Sequence, residues 1–396
     1  MSATDPAPAP SPGFAWRMTA GFYAGIFATL GAHMPFWPMW LSDWGLADGE
    51  IGALMGAAVA ARVAAGVLAP WFADVTGRRR TALALLGCLG IAVYLAHLTV
   101  GAVWALAALT LLASVALAGA LPIGDALGAA AARLHGFSYA RARSVGSAAF
   151  LFANLACGGA VAVWGVDAAL WWIVASLALM TAFALRHPGG ARDGMGRPRM
   201  TDALRLARRR PFLLAAAASA LVQASHGPLY AYGSLHWRAQ GISEATIGAL
   251  WAVGVAFEVA LMALIGGWII ARLGVWGAFA LAAASACARW GAMAFEPSAD
   301  WLWLWQASHA LTFTPTHLAM VAFVSAAAPA RLAASAQGLI GAGLGGVAMA
   351  AATFGAAALY PLAGAAMFWL GLGLAALGLL AALGLRRGWD GAALAA

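Results

Sequence analysis

The chain has 396 residues, of which 64% are hydrophobic and only 9% charged, and its mean hydropathy is +0.85. Soluble domains run about 45–50% apolar and about 25% charged, and disordered chains are poorer still in apolar residues, so both classes are excluded. The formal charge is +8 and the pI near 10.2; every basic residue is an arginine, and their placement accounts for this balance without nucleic acid.

A membrane-spanning helix takes about 20 mostly apolar residues, and the apolar content suffices for about twelve. The runs are continuous, as over 102–118, rather than alternating as in a porin, so in lipid they must be helices. The expected spans are 16–41, 50–72, 81–98, 102–132, 144–164, 168–185, 211–236, 245–270, 275–295, 301–327, 335–359 and 365–385. The fold class is an all-α membrane protein of twelve transmembrane helices in two pseudo-symmetric six-helix halves. The expected organisation is a tail over 1–15, a first half over 16–185, a polar, arginine-rich central loop over 186–210, a second half over 211–385 and a tail over 386–396. The Pro/Ala-rich N-terminal segment has no charged region ahead of its first apolar stretch, so no cleavable signal peptide is expected.

Alternating the spans sorts the arginines. Arg17, Arg78, Arg79, Arg80, Arg133, Arg141, Arg143, the eight of the central loop, Arg272, Arg331, Arg386 and Arg387 fall on one side, Arg238 on the other, and Arg62 and Arg289 within spans. The positive-inside bias makes the arginine side cytoplasmic, with both termini there, in the cell inner membrane. An internal repeat supports two halves: Gly45-Leu-Ala-Asp-Gly-Glu-Ile-Gly-Ala-Leu54 returns as Gly241-Ile-Ser-Glu-Ala-Thr-Ile-Gly-Ala-Leu250, each joining the first two spans of its half.

Four ionisable groups lie inside spans: Arg62, Asp125, Glu258 and Arg289. Each costs roughly 2.5–3.5 kcal/mol at mid-membrane on insertion scales, and they sum to zero, so pairing across a central cavity is expected. Glu258, near the middle of span 8, is the first candidate to carry a proton, with Asp125 and His309 beside it in that role. Arg289 is the better candidate to fork a carboxylate, with Arg62 the alternative. His33, His226, His309 and His317 fall within spans, and His226 and His33 join the candidate substrate-binding set with Trp251, Tyr230 and Gln306. Trp37, Trp251 and Trp290 lie deep enough to stack on an aromatic solute, whereas Trp40, Trp44, Trp237, Trp301 and Trp389 read as interfacial anchors. Gly341-x-Gly343-x-Gly345-Gly346 follows no strand and reads as close helix packing. Cys88, Cys157 and Cys287 lack metal-ligand spacing, no metal site is expected, and without a clustered nucleophile and base the chain is not read as an enzyme.

After span 2 the chain reads Asp74-Val-Thr-Gly77-Arg78-Arg79-Arg80, which resembles the loop signature of the major facilitator superfamily. There glycine permits a tight turn and the basic residues hold the loop inside, so Asp74, Gly77, Arg78 and Arg79 are its conformational loop motif. Pro35-Phe-Trp-Pro-Met-Trp-Leu41, Asp125-Ala-Leu127 after Pro122, Tyr139-Ala-Arg141-Ala-Arg143-Ser-Val-Gly146-Ser147 and Trp251-x-x-Gly254-x-x-x-Glu258 resemble the phenylpropionate permease branch. That branch is close to the nucleoside:proton symporters and similar to lactose permease; Tyr139-Ala140 departs from its usual Tyr-Gly, and no acid stands beside His309 in span 10. The resemblance implies proton-coupled uptake of a small organic solute by alternating access, with Asp125, Glu258, Arg289 and His309 at the positions serving substrate and proton. The expected substrate is an aromatic monocarboxylate such as 3-phenylpropionate. The alternatives are a nucleoside or sugar:proton symporter and a proton-coupled drug or metabolite exporter. No cofactor is expected beyond the coupling proton; the expected partners are the small-molecule substrate and the bilayer, for a monomer.

Overall fold

The computed structural model describes residues 10–189, 200–329 and 332–394. Residues 190–199 of the central loop, with Arg192, Arg197 and Arg199, lie outside the described residues, as do Arg331 and the first nine residues of the N-terminal tail. Among the described residues every regular element is helical, the only way an open chain satisfies its backbone in lipid.

The first half comprises α1 (Pro12–Trp44), α2 (Asp48–Thr76), α3 (Arg79–His97), α4 (Val103–His135), α5 (Tyr139–Trp164) and α6 (Asp167–Arg186). Local chemistry sets their ends. Ser11 caps α1 by accepting the Phe14 N–H at 3.2 Å, with Pro12 already in the first turn. Gly45 closes the helix at φ 110°, a conformation only glycine takes without strain. Ser138 caps α5 in the same way through the Arg141 N–H at 3.3 Å.

The second half begins with the short α7 (Met200–Ala207). Crossing seven is α8 (Arg210–Ala224) and α9 (Gly227–Ala239), broken at Ser225–His226; crossing eight is α10 (Glu244–Leu264), continued past Ile265 into α11 (Gly266–Met293). Gly274, at φ 63°, turns the chain within α11, so crossing nine is its second part. Crossing ten is α12 (Ala299–Ala307) and α13 (His309–Ala327), broken at Ser308. Crossing eleven runs from α14 (Ala333–Gly338) through a π-helical turn, Leu339–Gly345, into α15 (Gly346–Ala363), and crossing twelve is α16 (Phe368–Gly388). Ten stretches pass a test of length and apolarity; one of them, Ser335–Gly388, is divided by the turn at Gly364, and α1 completes twelve crossings.

Large apolar side chains such as Leu264, Trp104, Trp164 and Leu362 stand exposed around the bundle, as lipid requires and water forbids. Trp40 and Trp237 depart from the expected interfacial role. Both are buried: Trp40 stacks on Trp37 at 4.9 Å and its indole donates to Asp167 at 2.9 Å, so helix packing rather than the headgroup layer holds it.

The halves meet through α1 with α9, α2 with α15 and α5 with α10. Their contacts concentrate at the face opposite the arginine-rich one. Arg238 reaches Asp43 at 2.5 and 3.1 Å and Glu244 at 3.3 Å. Tyr232 donates to the Asp48 carbonyl at 2.6 Å. Gly158 and Gly248 face each other so closely that a Cβ on Gly158 would lie 2.9 Å from the Glu244 carbonyl.

Candidate functional site

The two broken crossings lie side by side. The break at Ser225–His226 puts His226 at the start of α9, and the break at Ser308 puts His309 at the start of α13, with the two rings 5.1 Å apart. Interrupted helices at mid-membrane leave polar groups available where a continuous helix would not. Arg289 of α11, 1% exposed, donates one Nη to Gln306 Oε1 at 2.5 Å and the other to His309 Nδ1 at 3.1 Å, and lies over the Trp290 ring at 4.6 Å. Arginine has no acceptor, so His309 Nδ1 carries a lone pair and the ring proton sits on Nε2. That nitrogen faces Glu258 Oε2 of α10 at 3.5 Å. Four of the expected residues, Glu258, His309, Arg289 and Gln306, thus form one chain. His226 joins it through Thr312 Oγ1 at 2.9 Å, and its Nδ1–H is spent on the Val222 carbonyl at 3.1 Å.

The first half holds a matching arrangement. Arg62 of α2 donates from Nη2 to His33 Nε2 at 3.2 Å, and His33 Nδ1 lies 2.9 Å from the Tyr94 hydroxyl. The same donor logic puts the His33 proton on Nδ1, donated to Tyr94. Trp37 stacks on His33 at 5.6 Å, and His97, tied to Thr110 at 3.2 Å, packs edge-on to Trp37. Tyr94 and Thr110 had no distinguishing spacing in the sequence; only the fold brings them to His33 and His97.

Asp125 of α4 stands apart from both. It accepts from Tyr23 at 2.6 Å and Tyr139 at 3.1 Å, and Arg143 Nε approaches to 3.9 Å while its guanidinium lies 4.1 Å from the Phe27 ring centroid. It does not contact Glu258 or His309. Its ion pair is with Arg143, which arginine sorting alone assigns to a loop. Nearby, beyond the spans, His187 donates from Nε2 to Thr19 at 3.0 Å, and burial, with His135 and Arg80 adding to it, pulls its pKa down to about 4.

Between the halves lies a cavity of about 400 Å³ lined by Val59 and Arg62 of α2, Ser219 and Gln223 of α8, Tyr230 of α9 and Phe313 and His317 of α13. Gly341, Gly345 and Gly346 line it too. A Cβ on Gly341 would meet nothing within 4 Å, so close helix packing is not why these glycines are small, Gly346 against Val63 excepted. Tyr230 stacks on Trp251 at 5.9 Å, and the Trp251 indole is fixed by Ser234 at 3.0 Å. Arg289 is not among the lining residues. In the loop motif, Gly77 takes φ 69° at the turn between α2 and α3, and Arg78 and Arg79 begin α3; the Asp74 side chain lies outside the described residues. No group of three or more His, Cys, Asp or Glu suited to a metal occurs among the described residues.

Twelve crossings in two halves, broken helices at mid-membrane and a cavity between the halves, sealed at one face, define a transporter of the major facilitator superfamily, multi-pass in the membrane and not an enzyme. The chain belongs to the MFS_1 like family, whose model matches residues 16–370. It is 29% identical over 321 residues, 78% of this chain and 82% of the relative, to a probable 3-phenylpropionic acid transporter of Escherichia coli (strain K12). In fold it is similar to the nucleoside transporter NupG (TM-score 0.76, 15% identity, 95% of this chain and 99% of that one). It is also similar to a D-xylose-proton symporter (TM-score 0.72, 13% identity, 97% and 100%).

Proposed function

We propose that this transporter imports a small aromatic monocarboxylate, of the 3-phenylpropionate kind, together with a proton, across the cell inner membrane. Its termini and arginine-rich face are cytoplasmic by the positive-inside bias, and it works as a monomer, since one chain supplies both walls of the cavity. The observation that carries the reading is the Arg289–His309–Glu258 chain. An arginine donor holds His309 neutral and aims its N–H at Glu258, which leaves the Glu258 carboxyl as the group in that chain free to take and release a proton. Asp125, bonded to two tyrosines and beside Arg143, is the less available carboxylate.

The substrate class rests on charge and shape. Arg62 and Arg289 outnumber Glu258 at the centre of the bundle, an excess of positive charge that favours an anionic cargo. Tyr230, Trp251 and Phe313 offer aromatic faces beside the cavity. The named E. coli relative supports the same class. Purified protein in liposomes, given an inward proton gradient and labelled 3-phenylpropionate, is expected to accumulate label above equilibrium and to lose it on adding a protonophore. Uptake no greater than in protein-free liposomes, with a nucleoside or sugar accumulating instead, rejects the substrate; net extrusion rejects the direction.

A further inference from the structure

We infer that Arg62, and not Arg289, takes the carboxylate of the cargo. The inference rests on the proposed reading that the cargo is an organic acid, and it assigns that acid's two ends to opposite halves of the molecule.

Arg289 is buried and Arg62 half-buried, neither has an acidic partner among the described residues, and each leaves its buried Nε–H unsatisfied. They differ in what else surrounds them. Both Nη groups of Arg289 are engaged, by Gln306 and by His309; its plane lies over Trp290, and it is 1% exposed behind the cavity wall. An anion reaching it would have to displace Gln306 and the very contact that holds His309 toward Glu258. Arg62 has one hydrogen bond, from Nη2 to His33, and it lines the cavity. It is the only charged side chain among the cavity's lining residues, where no carboxylate appears. A guanidinium in such a place is costly until an anion meets it, and Nη1, which makes no hydrogen bond among the described residues, is the donor it offers a carboxylate.

The opposite wall has the complementary chemistry. Tyr230, Phe313, Met320 and Met349 supply ring and thioether surface, and Gln223 and His317 the remaining polar edge. A volume of about 400 Å³ falls in the ordinary range for small-molecule sites, about 300–1,000 Å³. An aryl-alkanoate with its carboxylate on Arg62 lays its ring against the second half. Cargo then links the two halves directly: its anion is held by α2 and its ring by α9 and α13. Arg289 becomes the positioning residue of the proton chain.

The test compares 3-phenylpropionate with 3-phenylpropionamide, which keeps the ring and loses the charge, in equilibrium binding to the purified full chain. Wild type is expected to favour the acid at least tenfold. Arg62→Gln is expected to bind acid and amide equally, with amide affinity unchanged, which also shows that the variant is folded. Should Arg62→Gln bind neither, Arg62→Lys carries the test: a several-fold loss for the acid alone supports the inference, and wild-type affinity for the acid overturns it. A preference that survives in Arg62→Gln and collapses in Arg289→Gln overturns the inference while sparing the aromatic-acid reading. A wild type that binds acid no better than amide overturns both.

Discussion

At the scale of single residues, the telling feature is that arginine cannot accept a hydrogen bond. Arg289 and Arg62 each point a donor at a histidine nitrogen, so His309 and His33 are held as neutral rings with defined tautomers. A histidine in that state relays orientation rather than charge, and the proton falls to Glu258. Glu258→Gln keeps the shape and the hydrogen-bonding edge but cannot titrate. Proton-driven accumulation of 3-phenylpropionate is therefore expected to fall by at least tenfold, while exchange of labelled for unlabelled substrate at equal pH continues near the wild-type rate. Equal loss of both in the liposome assay would show that the side chain acts through packing instead. Glu258, Arg289 and His309 were legible in the sequence because ionisable groups inside apolar runs are conspicuous. Their partners were not. Gln306 and Tyr230 stood out only as polar residues, Arg143 only as a loop arginine, and Tyr94 and Thr312 had no signal, because the contacts that matter join helices far apart in the chain.

At the scale of elements, apolar run length placed the crossings well, since lipid leaves the backbone no other option. It did not reveal that crossings seven and ten are broken at Ser225–His226 and Ser308, because neither break has a proline or glycine at its centre; Pro228 follows the first and Pro315 lies well beyond the second. Nor did it foresee the seal. Arg238, the one arginine assigned away from the basic face, bridges Asp43 of α1 and Glu244 of α10, one on each half. Arg238 and Asp43 are more than one-third exposed and Glu244 about one-quarter, and such pairs contribute about 0.2–1 kcal/mol each, so the lock is a modest one. Arg238→Gln is expected to raise the population open at that face by roughly 3- to 5-fold, a shift of about 1 kcal/mol. Ala357, packed against Gly52 at the seal, is a suitable reporter once the native cysteines are replaced. A cysteine there is expected to react faster with an impermeant maleimide in the Arg238→Gln background, and an unchanged rate would mean that the seal is held by its other contacts, the Tyr232 hydrogen bond and the close glycine packing.

At the scale of the whole molecule, the charges inside the bundle constrain the overall stoichiometry. Asp125 has Arg143 beside it, which leaves Arg62 and Arg289 against one ionised Glu258. The empty carrier therefore returns with a net charge of about one positive, and a monocarboxylate plus a proton on Glu258 adds minus one and plus one, leaving it unchanged. Loaded and empty carriers then cross the same electrical barrier, so transport is expected to be electroneutral. A second proton would make the loaded form more positive by one unit, and a potential of about 100 mV would then supply about 2.3 kcal/mol, enough for about a 50-fold concentration ratio. The two cases separate cleanly in liposomes. With a proton gradient fixed, a potassium diffusion potential set by valinomycin, negative inside, is expected to leave the steady accumulation of 3-phenylpropionate within about twofold, whereas removing the proton gradient at constant potential abolishes it. Accumulation that rises tens-fold with the potential would require a second titrating group, and Asp125, released from Arg143 as the halves move, is the carboxylate in position to be it. Asp125→Asn would then return transport to electroneutrality, so the same assay that rejects the one-proton scheme also tests its replacement.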